Sequence, residues 1–97
     1  MTASRYELVV APSVRRQLAH GLSDSVAGAA YGFITGPLCT DPYRAGGRLR
    51  PPLDDRYSAR RGTYRVIYRI DAPQRRVTVV GVFSRADAYR PRIDRSQ

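Results

Sequence analysis

Arginines set around a tight turn carry most of the chemical potential of this sequence. In the segment Tyr57–Tyr68, Gly62 and Thr63 sit between two alternating runs. A glycine in the first of two turn positions suits a type II′ hairpin, and a two-residue turn fixes the pairing of its strands. Arg61 then faces Tyr64, Arg60 faces Arg65, Ala59 faces Val66 and Tyr57 faces Tyr68. Alternation puts Tyr57, Ala59, Tyr64, Val66 and Tyr68 on a core face and Arg60, Arg65 and Arg69 on the opposite one. Two like charges directly across a ladder repel, by some tenths of a kcal/mol up to ~1. An anion between them turns that repulsion into a clamp. The alternative is that both side chains splay into water, where screening makes the cost small.

A second cluster lies near the C-terminus, where Arg85 and Tyr89 stand four apart. One helical turn would put them on one face. The hydroxyl of Tyr89, with a usual pKa of about 10, is the one nearby group able to exchange a proton usefully. A packing anchor is the competing role for such a tyrosine. His20 falls near the end of a short helical pattern, where a histidine serves as a favourable C-terminal cation or a solvated polar group. Cys39 has no His or Cys at ligand spacing, so neither a metal site nor a thiol nucleophile is supported. Tyr6, Tyr31, Tyr43, Tyr57, Tyr64 and Tyr68 read most simply as core or flanking aromatics.

The charge that surrounds these residues is one-sided. All seventeen basic side chains are arginine, and the net charge is +9. Residues 1–43 are neutral overall, whereas residues 44–97 set fourteen arginines against five aspartates. A basic half of this kind points to a polyanion such as nucleic acid, and an acidic protein segment would satisfy it too. Arginine binds phosphate through a planar fork and stays protonated at physiological pH, so the site can stabilise negative charge but cannot readily supply a base. A single cysteine makes no internal disulfide, and no apolar run approaches the roughly 20 residues that cross a bilayer. The N-terminus lacks the apolar region of a signal peptide. These features predict a soluble cytoplasmic protein with no membrane association, and residues 1–97 read as one domain whose tail, about 91–97, has little to pack.

The elements that must position the arginines are legible in outline. Tyr6–Ala11 reads as a strand. Pro12 suits the first turn of a helix, along which Val14, Leu18 and Leu22 share a face. Ser23 is a candidate N-cap for a second helix that carries Val26, Ala30, Phe33 and Ile34 inward and ends at Gly36 and Pro37. Residues 39–56, rich in Pro and Gly, read as a loop with one short strand around Arg48–Arg50. Two strands follow, Tyr64–Ile70 and an apolar, central one at Arg76–Phe83, joined by a turn at Asp71–Gln74. Strand, helix, helix, then three or four antiparallel strands is an α+β pattern with both helices on one sheet face. The other face is left open.

The string Ser58-Ala-Arg-Arg-Gly-Thr-Tyr-Arg-Val-Ile-Tyr-Arg-Ile70, followed by Arg85, Tyr89 and Arg90, resembles the signature of the RelE/ParE toxin superfamily. Gly36-Pro-Leu38 and the loop Pro42–Leu49 fit as well, and the resemblance spans roughly residues 5–90. It is nearest to the RelE-like toxins of actinobacteria. The resemblance implies a compact α+β toxin of a type II toxin–antitoxin system. In the RelE branch such a toxin enters the ribosomal A site and cuts mRNA there, the ribose 2′-hydroxyl attacking the adjacent phosphate. Arg65 matches the arginine that holds the scissile phosphate, Arg85 the one placed near the developing charge, and Tyr89 the tyrosine that stacks on the nucleotide and can move a proton. Arg60 and Ser58 stand where some members carry two lysines, and Ser84 stands where many carry a histidine. Arg60, Arg65, Arg85 and Tyr89 are thus the expected catalytic set, and Arg48, Arg50, Ser58, Arg61, Arg69 and Arg90 the expected RNA-binding set.

Without lysine or a nearby histidine, proton transfer rests on Tyr89, water or the substrate, and a slow, ribosome-dependent reaction is expected. Neither a metal nor a small-molecule cofactor is expected. The ParE branch of the same fold offers an alternative: inhibition of DNA gyrase without nuclease activity. Both branches imply an acidic cognate antitoxin, RelB-like in the first case, whose segment wraps the toxin and covers or displaces the site.

Overall fold

The computed structural model describes residues 5–84, beginning with strand β1 (Glu7–Val10). Pro12 starts helix α1 (Pro12–Arg16), where its missing N–H costs nothing. The helix then loosens into a π-type segment at Gln17–Gly21. Its expected apolar face survives: Val14 is fully buried, and Leu18 and Leu22 pack against the core. Ser23 caps helix α2 (Asp24–Thr35), its hydroxyl oxygen accepting the Val26 N–H at 3.3 Å. That helix stops before Gly36, as the Gly-Pro step predicts.

The stretch expected to be a loop begins with helical turns instead. Helix α3 (Pro37–Thr40) and helix α4 (Pro42–Ala45) each start on a proline. A proline ends one helix but is equally well placed to begin the next, since its φ is already helical. Burial of Leu38, Cys39 and Pro42 holds both turns against the core. The short strand falls at β2 (Gly47–Arg48), one position earlier than anticipated.

Strands β3 (Tyr57–Arg61), β4 (Tyr64–Asp71) and β5 (Arg76–Ser84) complete a five-stranded sheet of order β1-β5-β4-β3-β2. The four later strands are mutually antiparallel, as expected, and β1 adds a fifth that lies parallel to β5. The chain crosses from β1 through the helices to the far edge of the sheet. It then meanders back until β5 lies beside β1, which makes β5 an interior strand. β1 covers β5 only from Arg76 to Val79; beyond it, the Gln17 side-chain amide donates to the Val82 carbonyl at 2.7 Å.

Alternation along β5 is broken once. The register runs Ile67 to Gly81 and then Tyr68 to Val79, so Val80 is an extra residue, a β-bulge. Val77 and Val79 face the core before it, Val82 and Ser84 after it, and all four are buried. These side chains meet Ala59, Tyr64, Val66 and Tyr68 of the hairpin and Val14, Ala30, Phe33, Ile34 and Leu38 of the helices. Two buried tyrosines tie the layers together. Tyr64 donates its hydroxyl to the Ala29 carbonyl at 3.1 Å, and Tyr68 donates to the Pro42 carbonyl at 2.7 Å. All of this lies on one side of the sheet. The α+β architecture, with a second face left bare by the described residues, is therefore the observed one. Among the described residues no helix is long and apolar enough to cross a membrane.

Candidate functional site

The hairpin forms with the anticipated register. Gly62 takes φ +61° while Thr63 stays in the ordinary region, the combination a type II′ turn requires. Arg61 pairs with Tyr64, Arg60 with Arg65, Ala59 with Val66 and Tyr57 with Tyr68. The pair closing such a turn exchanges both ladder hydrogen bonds. The next pair out, Arg60 with Arg65, is then of the non-hydrogen-bonded kind, with Cα atoms about 4.5 Å apart and side chains at their closest. Both arginines are exposed on the open face, and neither is held in a salt bridge among the described residues. They border a concavity of about 490 Å³ that also takes in Gly62, Thr63, Tyr64, Ile67, Phe83 and Ser84.

A third side chain completes this row. Arg65 pairs on its other side with Phe83 of β5, so Arg60, Arg65 and Phe83 stand abreast on three adjacent strands. Phe83 is 54% exposed, an unusual state for a phenylalanine on a sheet. The next row holds Ser58, Ile67 and Gly81. The Phe83 ring leans over Gly81: a Cβ there would lie 2.9 Å from its Cε2 and 3.0 Å from its Cζ. Sequence alternation missed Phe83 as a member of the site because the bulge at Val80 reverses which residues of β5 face outward.

The remaining anticipated residues separate into groups. Ser58 lies on the open face, half-buried, opposite Ile67. Arg69 is on the same face, with Asp55 3.8 Å from its Nε. Arg61 turns to the helix side, where its guanidinium lies 4.6 Å from the centroid of the Phe33 ring. Arg48 sits over the Tyr57 ring at 5.8 Å, at the β2 edge and on the core side of the hairpin. Arg50 is exposed just beyond β2. Arg61 and Arg48 therefore stand apart from the Arg60–Arg65 pair. Arg85, Tyr89 and Arg90 lie outside the described residues.

The cleft's chemistry is one of fixed positive charge. Tyr64 lines it, but burial pushes its pKa up against the lowering effect of Arg61, and its hydroxyl is committed to Ala29. Tyr68, deeper still, is pushed up to about 12, chiefly by burial. Neither tyrosine can act as a base near neutral pH. Cys39 donates its thiol to the Ile34 carbonyl at 3.3 Å, and burial raises its pKa, so it is a packing residue. Among the described residues no group of three or more His, Cys, Asp or Glu could hold a metal ion. What the arrangement can do is hold an anion between two guanidinium groups, with an aromatic ring alongside.

Comparison with known proteins accords with this fold. Residues 34–89 match the family model of the ParE toxin of the type II toxin–antitoxin system parDE. The chain is 38% identical over 85 residues to toxin RelE of Mycobacterium tuberculosis, covering 88% of this chain and 87% of that one. It is 41% identical over 85 residues to toxin RelG of the same organism, covering 88% and 97%. The crystal structure of the RelBE2 toxin–antitoxin complex of M. tuberculosis superposes with a TM-score of 0.79 at 38% identity, over 84% of this chain and 99% of that one. The isolated RelE toxin of E. coli shares the fold, with a TM-score of 0.65 at 20% identity over 95% and 99% of the two chains. The chain therefore belongs to the RelE/ParE superfamily of type II toxin–antitoxin toxins, within its RelE family.

Proposed function

We propose that this toxin is an mRNA endoribonuclease acting in the ribosomal A site. The observation that carries the reading is the Arg60–Arg65 pair, two guanidinium groups directly across a ladder on the open face of the sheet, with no salt-bridge partner among the described residues. A phosphodiester between them would have both non-bridging oxygens within reach of planar donor forks. The ribose 2′-hydroxyl attacks the adjacent phosphorus, the bond to the 5′-oxygen breaks, and the products are a cyclic phosphate and a 5′-hydroxyl. Charge that builds on the phosphorane is stabilised by guanidinium groups whose protonation does not change during the reaction. Arg85 and Tyr89 join them, Arg85 beside the developing charge and Tyr89 on the nucleotide, with its hydroxyl available to move a proton. Positioning of the mRNA by the ribosome supplies much of the remaining rate.

The partner in this reading is an acidic antitoxin of the RelB kind, neutralising the basic half of the chain; a relative of 38% identity is found in a RelBE2 complex. The match to the ParE toxin model keeps one second reading, inhibition of DNA gyrase. Mapping 5′ ends of cellular mRNA after induction of the toxin, beside a gyrase supercoiling assay, separates the two. New 5′ ends inside reading frames with unimpaired supercoiling are expected. Intact mRNA with blocked supercoiling would replace the nuclease reading with the ParE one.

A further inference from the structure

We infer that Phe83 is a base-stacking platform, holding the nucleobase of one nucleotide that flanks the phosphate gripped by Arg60 and Arg65. This rests on the mRNA-cleavage reading and deepens it. Arg60, Arg65 and Phe83 occupy one row across β3, β4 and β5, in steps of the strand spacing, about 4.8 Å. A ribonucleotide presents the same sequence of groups, an anion and then a flat apolar ring, over a comparable span. The ring of Phe83 is 54% exposed, although Phe carries no polar group that would draw it to water. It is not absorbed by an internal contact of the kind that holds Tyr43. Tyr43 packs edge-on against Tyr6 and Tyr57, whereas no ring or guanidinium among the described residues pairs with Phe83; Tyr31, the other exposed aromatic without such a contact, carries a hydroxyl that water can solvate.

Two features of β5 set the ring in this position. The bulge at Val80 turns residue 83 to the open face, and Gly81 leaves the space into which the ring leans, a space that a Cβ would close to 2.9 Å. Electrostatics favour a nucleotide over a hydrophobic peptide here, because the row that Phe83 closes carries two arginines, Arg65 on the adjacent strand and Arg60 on the one beyond.

The test is a cycle of one protein change and one RNA change in single-turnover cleavage on programmed ribosomes. mRNAs carry either a base or an abasic ribose at each nucleotide flanking the cleaved phosphate. Phe83→Leu keeps apolar volume without a π face, and Phe83→Trp enlarges the face. For the wild-type toxin, loss of one particular flanking base is expected to slow cleavage about 5- to 150-fold, the range that stacking on an aromatic side chain spans. Phe83→Leu should be slowed by a similar factor on intact mRNA and be indifferent to that base, while Phe83→Trp should behave as wild type. Equal sensitivity of wild type and Phe83→Leu to base removal overturns the inference and leaves mRNA cleavage standing. Unchanged cleavage by Phe83→Leu with weakened antitoxin binding also overturns it, assigning the ring to the antitoxin interface. No cleavage of intact mRNA by the wild-type toxin overturns the cleavage reading and this inference together.

Discussion

At the scale of the residue, the arginine pair is an arrangement that is unfavourable without its ligand. Arg60 and Arg65 face each other at the closest kind of ladder position, with no acidic group paired to either among the described residues. Arg60→Thr should therefore leave stability unchanged or raise it by a few tenths of a kcal/mol up to ~1, while it weakens the site. Thermal unfolding in the absence and presence of phosphate reads both effects. Wild type should gain in Tm with added phosphate and Arg60→Thr should gain much less; an equal gain would show that the anion binds elsewhere. Tyr89 poses a separate question, whether a ring or a hydroxyl is needed. Tyr89→Phe should slow the cleavage step roughly 10²–10⁴-fold if the hydroxyl transfers a proton, and be near wild type if the ring only positions the base. The expected result, from single-turnover rates beside Tyr89→Ala, is a loss in both variants, since no other titratable group in the proposed site can move a proton.

At the scale of the element, tyrosines anchor the sheet to the helices that support it. Tyr68 is fully buried, donates to the Pro42 carbonyl, and has its pKa pushed up to about 12 from the usual 10. A phenol that ionises less readily folded than unfolded stabilises the fold below the unfolded pKa, and that contribution disappears as pH rises through the folded one. Roughly 2–3 kcal/mol should thus be present up to about pH 10 and lost by about pH 12. Urea unfolding across that window should show the decline, and Tyr68→Phe should flatten it while costing about 1–3 kcal/mol at neutral pH through the orphaned carbonyl. The same elements show what the sequence made legible. Hairpin register followed from a glycine in the first turn position, and the two faces of β3 and β4 followed from period-two alternation. The facing of Phe83 did not follow, because a bulge adds one residue without any local signal beyond Gly81. Helices α3 and α4 were hidden because Pro37 and Pro42 also serve as helix starts. The parallel pairing of β1 was hidden because it depends on where a long crossover lands. Arg61 and Arg48 share the composition of the site, but their parity or edge position sends them to Phe33 and Tyr57.

At the scale of the whole molecule, the excess charge of +9 is confined to residues 44–97, the half that builds the hairpin and the open face. Such a field speeds capture of a polyanion and makes the encounter depend on salt. Association with the antitoxin, if it is acidic as proposed, should slow and weaken as salt rises from about 0.05 to about 0.5 M, because screening shortens the reach of the field. Surface-binding kinetics across that range would register it, and rates and affinities indifferent to salt would contradict an electrostatic partner. For the central claim, that Arg60 and Arg65 hold the phosphate being cut, the most direct measurement is single-turnover cleavage on ribosomes programmed with a defined mRNA. Wild type should cut within the A-site codon. Arg65→Ala, whose stability should lie within about 0.5 kcal/mol of wild type because the side chain is exposed, should lose on the order of 10²–10³-fold in that step. A folded Arg65→Ala protein that cuts at the wild-type rate would contradict the account.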